Sequence, residues 1–354
     1  MISRRVESVL HDPPTPILPL LIFLSLVYRV FAAIHRGIYR AGLFKVAVLP
    51  RPVVCIGNLS VGGGGKTPLV MWLARKMREE GRKPAILTRG FGRRDKEIRI
   101  VASGDDWKSV GDEPSLMASR LEEVPVVVSR DRYRSGMEVL RNRDVDVFIL
   151  DDGFGHHALK KDLELVVIDD YRRFGNGRML PAGILREPPA RLKDAGIVIV
   201  TKATIPDQSF RKQIGKHSDA PVLWAEYRPD RLVQIEEEKG DGLAPVGKGP
   251  FLGFCGIADP GSFERSLEGS GIKAVDVLSF PDHHPYTFSD VRAIEDRAAV
   301  LGARALVTTE KDATRWPGGD GTLPCFALTM EVVFLEGGDV LMDAVNSVIS
   351  RTEK

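Results

Sequence analysis

Cysteine is scarce in this chain. Only Cys55, Cys255 and Cys325 occur in 354 residues, far apart in apolar segments. They have neither metal-ligand spacing nor the even count of a disulfide framework, and read as reduced core residues of a cytosolic compartment. An excess of one charge is lacking as well: 50 Lys and Arg face 48 Asp and Glu, a formal net charge of +2. That balance argues against a surface built wholesale to hold nucleic acid, so any basic function is local. No internal repeat or low-complexity tract appears. At this length the chain exceeds one typical domain and falls short of three, which predicts two packed units plus an N-terminal appendage.

Long hydrophobic runs are rare too, with one exception. From Ile17 to Tyr28 the sequence ILPLLIFLSLVY is almost wholly apolar, yet it stops at Arg29, too short to span a bilayer comfortably. Beyond it Val30, Phe31, Ile34, Ile38 and Leu43 alternate with Arg29, His35, Arg36, Arg40 and Lys45 near the helical repeat. The pattern predicts an amphipathic basic helix that lies in the headgroup region, apolar face inserted and cations drawn to anionic lipid. A helix that merely covers a core is the plain alternative. A signal peptide cleaved after Ala32-Ala33 ranks last, because cleavage would send the nucleotide site described below to a compartment without ATP.

From Pro52 onward short apolar runs alternate with helical patterns. PVVCIG leads to a helix from Leu69 to Glu80, then PAILT, PVVVS, a helix from Arg132, VDVFIL, LELVVID and GIVIVT. Continuous β-branched runs of this kind suit strands buried on both faces of a parallel sheet, so the expected core is a doubly wound α/β fold. Around residues 227 to 249 the pattern fails, and charge, Gly and Pro mix without an apolar period. Beyond it FLGFCG, a helix near Gly261 to Ser270, KAVDVLSF, a helix from Ser289 to Leu301 and RALVTTE predict a second, smaller α/β domain. The expected division is 1–45 for the membrane-associated helix, 46–226 for the core and 227–354 for the C-terminal domain.

The strand PVVCIG runs into NLSVGGGGKTP and then a helix, which is nearly a Walker A loop. Gly62, Gly63, Gly64 and Gly65 let backbone N–H groups close around phosphate oxygens; Lys66 reaches the β and γ phosphates, and the Thr67 hydroxyl is a Mg²⁺ ligand. Ser60 stands where the usual pattern has Gly. A second strand, VDVFIL, ends in Asp151-Asp152, as a Walker B strand ends in a metal-holding carboxylate. Neighbours in a strand point to opposite faces, so one of the two is expected at the metal and the other in the surrounding shell. These motifs imply a P-loop NTPase core with ATP and Mg²⁺ as its ligands.

The segments GNLSVGGGGKTP, LTRGFGR, VGDEPSLMA, ILDDGFGHHALKKDLELVVID, FGNGRMLPAGILREPPARL, FPDHHPYTFSD and VTTEKDATR are similar, in order and spacing, to those of the tetraacyldisaccharide 4'-kinase family, from about Val53 to Arg315. The resemblance implies transfer of the γ-phosphoryl of ATP to the 4'-hydroxyl of a lipid A disaccharide precursor, at the cytoplasmic face of the bacterial inner membrane. The enzyme would be peripheral or monotopic, with no nucleic acid and no obligate protein partner. Carried over by position, it implies catalytic roles for Asp112, Lys66 and His283, the last preceded by Asp282 and supplied by the second domain. Glu113, His156, Arg186 and Glu187 match substrate or cleft positions, and the family carries Ser or Thr at Ser60. Gly155 stands where the family has Gln, so any contact that amide makes is lost or passes to another residue such as His157; Phe91 stands where Tyr is frequent. Without the resemblance, Asp112 and Glu113 before Pro114 read as an ordinary helix start. Likewise His283 and His284 read as turn residues or a metal pair, the latter weakened by the want of further ligands. Arg130, Asp131, Arg132 and Arg134 are either solvated helix surface or a clamp for the anionic 1-phosphate. Two rival functions remain: a P-loop kinase of a soluble metabolite, and a nucleotide switch.

Overall fold

The structure, a computed structural model, describes residues 16–62, 64–93, 96–235, 249–318 and 322–352. Two compact units divide the chain. One takes the described residues up to Glu226 and again from Val332, and the other takes Tyr227–Glu331.

The first unit opens with α1, Leu18–Arg40, whose Pro19 sits in the first turn, where no intrahelical bond needs its missing N–H. The helix runs through Arg29 without a break. Its inner stripe, Leu18, Leu21, Ser25, Tyr28, Ala32 and Arg36, recurs at helical spacing, and the Ser25 hydroxyl donates to the Met179 carbonyl at 2.9 Å. Leu20, Phe23, Leu24, Leu26, Val30, Phe31 and Ile34 are all exposed on the other side. By length and composition α1 is able to cross a membrane, and almost none of its apolar window is buried.

The core is β1 (Val53–Asn58), α2 (Lys66–Glu79), β2 (Pro84–Thr88), β3 (Arg99–Val101), α3 (Trp107–Val110), α4 (Asp112–Arg120), β4 (Val126–Val128), α5 (Arg132–Asn142), β5 (Val147–Asp151), β6 (Leu163–Asp169), the 3-10 turn Pro189–Asp194, β7 (Ile197–Thr201), α6 (Gln208–Gly215) and the start of β8 (Val222–Gln234). Its sheet runs β8-β7-β6-β1-β5-β2-β4-β3. Every pairing from β8 to β4 is parallel, and β3 alone pairs antiparallel. Side chains leave the strands on alternate faces. Val53, Cys55, Phe148 and Leu150 enter one apolar cluster, whereas Val166, Ile168, Val198 and Val200 enter another with Phe210 and Trp224. A sheet buried on both faces explains the unbroken apolar runs. Cys55, Cys255 and Cys325 are all buried, as their apolar settings imply.

The second unit holds the end of β8, β9 (Phe251–Cys255), α7 (Pro260–Gly269), β10 (Ala274–Ser279), α8 (Phe288–Leu301), β11 (Ala305–Thr309), α9 (Glu310–Ala313) and most of β12 (Cys325–Glu336). Its strands β10, β9, β11 and β12 pair in parallel. β8 continues as a strand to Gln234 although the sequence pattern fails from 227. Its charged Arg228, Asp230 and Arg231 are exposed while Leu232 is buried, so one short alternation carries the strand there. Residues 236–248, the rest of that charged segment, lie outside the described residues. The last helix, α10 (Gly338–Thr352), belongs to the first unit.

Candidate active site

The site begins where β1 ends. Leu59 and Val61 are tied to the segment 184–187, with the Val61 amide on the Ile184 carbonyl at 2.8 Å and the Arg186 amide on the Leu59 carbonyl at 2.7 Å. Gly62 (φ +90°) and Gly65 (φ +74°) then turn the chain into α2 through conformations that L side chains resist. Thr201 at the end of β7 donates to the Gly64 carbonyl at 3.2 Å and supports the loop from behind. Lys66 opens α2 with Thr67 beside it in the first turn, where free amides and the helix dipole favour anions. Gly63 lies outside the described residues.

Lys66 Nζ lies 3.2 Å from Asn58 Oδ1 and 3.2 Å from Asp152 Oδ1. Arg186 reaches the same carboxylate with both guanidinium nitrogens, at 2.8 and 3.2 Å, and also donates to Asn58. Asp152 has left the strand: its φ of +50° sends it away from Asp151, so a left-handed turn separates the two carboxylates. Burial raises the Asp152 pKa, but Lys66 and Arg186 outweigh it and hold the group well below the usual carboxylate range. Asp151 is different. It is buried at the end of β5, accepts from the Thr88 hydroxyl at 2.8 Å and has no ion-pair partner among the described residues. Burial first, then the charges of Glu113 and Asp152, push its pKa up to about 7.

Asp112 and Glu113 do head a helix, α4, and Asp112 is buried. Gly111 (φ +100°) packs so tightly that a Cβ there would stand 3.2 Å from the Phe91 carbonyl oxygen and 3.3 Å from Gly90 Cα. The RGFG loop therefore fixes the entry of α4, which brings Glu113 within electrostatic reach of Asp151.

A cavity of about 610 Å³ opens beside these groups. Asn58, Asp152, Gly155, His156, Arg186 and Glu187 line one part of it, and Tyr28, Phe31, Ala32 and His35 of α1 line another. Arg89, Arg130 and Arg132 complete the wall, with no carboxylate paired to any of them among the described residues. Arg132 is buried, and its Nε has no hydrogen-bond partner among the described residues. Burial, followed by the neighbouring Arg89, lowers its pKa. Asp131 and Arg134 instead serve the start of α5, the Asp131 carboxylate accepting from the Arg134 amide at 3.0 Å. The cluster read from the sequence thus divides into two surface residues and two that face the cavity.

Glu187 pairs with Arg36 of α1 at 2.6 Å, and Arg40 pairs with Asp194 at 2.9 Å, so two ion pairs hold the helix beside the site. Burial drives the pKa of His156 down to about 4 and that of His157 to about 3, with Arg132 helping at the first and Lys161 at the second. Nothing within 4 Å would meet a Cβ at Gly155. His157 rests against the His35 and Tyr39 rings, at 5.7 and 5.9 Å between centroids. His283 belongs to the other unit. It has φ +58°, its amide donates to the Gly256 carbonyl at 3.1 Å, and its Nε2 lies 3.3 Å from Lys311 Nζ. His284 stacks on Phe280 and lies 3.3 Å from Asp290, and no group of three metal-ligating side chains forms among the described residues. Sequence reasoning missed Asn58 and Thr88, and it gave Arg36 to lipid where the structure pairs it, largely buried, with Glu187. Of the two missed, only Asn58 carries a signal, as the polar residue closing the strand before the loop.

A parallel sheet whose inner strand feeds a glycine loop and Lys66, with carboxylates at the end of the adjacent strand, defines a P-loop kinase. The sequence profile described as tetraacyldisaccharide-1-P 4'-kinase matches residues 17–349. The chain is similar to the tetraacyldisaccharide 4'-kinases of Syntrophobacter fumaroxidans, 38% identical over 90% of this chain and 86% of that one, and of Syntrophus aciditrophicus, 33% identical over 94% of each. It is also similar to a crystal structure of LpxK from Aquifex aeolicus in complex with ATP, with a TM-score of 0.76 and 31% identity over 95% of this chain and 99% of that one. The chain belongs to the tetraacyldisaccharide 4'-kinase family, ATP-dependent kinases of lipid A biosynthesis.

Proposed function

We propose that this chain transfers the γ-phosphoryl of ATP to the 4'-hydroxyl of tetraacyldisaccharide 1-phosphate while docked on the cytoplasmic face of the bacterial inner membrane. One observation supports this most directly: a single cavity is walled both by the Asp152–Arg186 pair and by the apolar helix α1. A polar sugar whose acyl chains stay with the bilayer suits such a walled space, and the exposed apolar face of α1 suits insertion beside it.

In this reading 1–45 docks on lipid, 46–226 holds the nucleotide and the sugar, and Tyr227–Glu331 carries His283. The loop glycines 62–65 and Lys66 hold the ATP phosphates. A buried Asp151 with no ion-pair partner among the described residues, within electrostatic reach of Lys66, fits a divalent cation, and Thr67, Asp151 and Asp152 are the residues that would hold it. Mg²⁺ bound there neutralises phosphate charge. Asp112 orients the sugar hydroxyl and takes its proton, and His283 serves the same step. The 4'-oxygen forms a bond to the γ-phosphorus, the bond from that phosphorus to the bridging oxygen breaks, and ADP leaves with its electron pair. Arg89, Arg130 and Arg132 clamp the 1-phosphate, since unpaired guanidinium groups in a cavity are matched to a phosphate. Glu113, His156, Arg186 and Glu187 border the sugar.

Incubating the purified chain with γ-labelled ATP and tetraacyldisaccharide 1-phosphate tests the proposal. Label in a lipid product one phosphoryl group heavier supports it. ADP formation that does not depend on the lipid refutes it.

A further inference from the structure

Beyond Lys66 and Arg186, a third cation lies on the phosphate loop. The turn after β6 lays the Arg172 guanidinium directly over Gly62: a Cβ at that glycine would stand 2.5 Å from Arg172 Nη1 and 3.7 Å from Cζ. Gly62 has φ +90°, a backbone conformation that an L side chain resists.

The turn is built to hold that position. Asp169, buried at the end of β6, accepts from the Tyr171 and Arg172 amides at 2.9 and 3.3 Å and pairs with Lys202 at 2.7 Å. The neighbouring Arg173 takes the opposite course, with φ +45° and ion pairs to Asp170 and Asp207 at 3.0 and 2.8 Å. The Arg173 guanidinium is thus directed to two carboxylates, and the Arg172 guanidinium lies against the glycine loop.

Chemistry gives this placement a use. Phosphoryl transfer spreads negative charge over three equatorial oxygens of the moving group, and a guanidinium beside them acts as an arginine finger, supplied in cis in some enzymes. Lys66 and Arg186 are both engaged with Asp152 in this structure. Arg172 reaches the loop at Gly62.

We propose that Arg172 is a catalytic residue, a cis-acting arginine finger that contacts the γ-phosphoryl group as it moves from ADP to the acceptor hydroxyl. The proposal rests on the kinase reading above, and no atom is gained or lost at Arg172 itself. Its test is the steady-state kinetics of Arg172→Ala, Arg172→Gln and Arg172→Lys beside wild type and Lys66→Ala, with ADP affinity measured by calorimetry. The expected result is a fall in kcat of at least about 100-fold in the Ala and Gln variants, with ADP affinity within about two-fold of wild type. Added guanidinium ion should restore part of the Arg172→Ala rate and none of the Lys66→Ala rate.

A kcat within about three-fold of wild type in Arg172→Gln overturns the proposal, as does loss of ADP affinity in proportion to the rate. Should Arg172→Ala fail to fold, the Gln and Lys variants decide by the same criteria. If wild type itself fails to label the disaccharide, the parent reading fails instead, which is a distinct outcome.

Discussion

Replacing Asp151 by Asn should make the ligand-free protein more stable and the enzyme inactive. The Asp151 carboxyl is buried, and its pKa stands at about 7 against an ordinary 3.8. Between those values the folded protein keeps a proton that the unfolded chain has lost, so stability falls as pH rises through that window. At about 1.4 kcal/mol per pH unit, the full penalty above pH 7 is about 4 kcal/mol. An amide carries no such penalty, and its oxygen is still able to accept from Thr88. Urea unfolding of both proteins at several pH values, without nucleotide or Mg²⁺, should show Asp151→Asn more stable by about 2 to 4 kcal/mol at pH 8, with the two curves converging near pH 4. Mg²⁺ with ATP should then stabilise wild type more than the variant, because ligand binding adds to stability only where the site is intact. A variant less stable at pH 8, or a stability difference that does not change with pH, would refute the claim that Asp151 is a buried carboxylate waiting for a cation.

Lys66→Ala should abolish transfer, and Thr67→Ala should both slow it and raise the Mg²⁺ concentration needed; an unchanged Mg²⁺ titration would remove Thr67 from the metal site. Asp112→Asn should lower kcat by roughly 10² to 10⁴ with little change in ATP affinity, as positioned base catalysis is worth about that much. Adding His283→Ala should barely worsen it if the two residues serve one step, whereas fully multiplicative losses would separate them. Phe23→Asp with Leu26→Asp, both on the exposed face of α1, should reduce activity on anionic vesicles far more than on detergent-dispersed lipid; equal losses in both assays would assign α1 a packing role only.

The amino-acid sequence by itself determined the class of fold and the strand, glycine loop and helix of the phosphate-loop motif. β-branched runs such as VVCIG and VFIL specify strands buried on both faces, and GGGGKT after the first of them specifies a phosphate loop, because these signals depend only on local spacing. Asp112 and Glu113 were legible without the resemblance as a helix start, and they do head a helix. Tertiary structure decided the rest. Asp151 and Asp152 are neighbours in sequence, yet burial raises the pKa of the first while Lys66 and Arg186 lower that of the second, which no alternation rule predicts. Arg132 and Arg134 share a helix start, but packing buries the first at a cavity and leaves the second in water. Asn58 meets Lys66 and Arg186, and Arg36 meets Glu187 across 151 residues. Such contacts join segments distant in the chain, and the energy that selects them comes from burial and charge pairing that exist only once the segments have met.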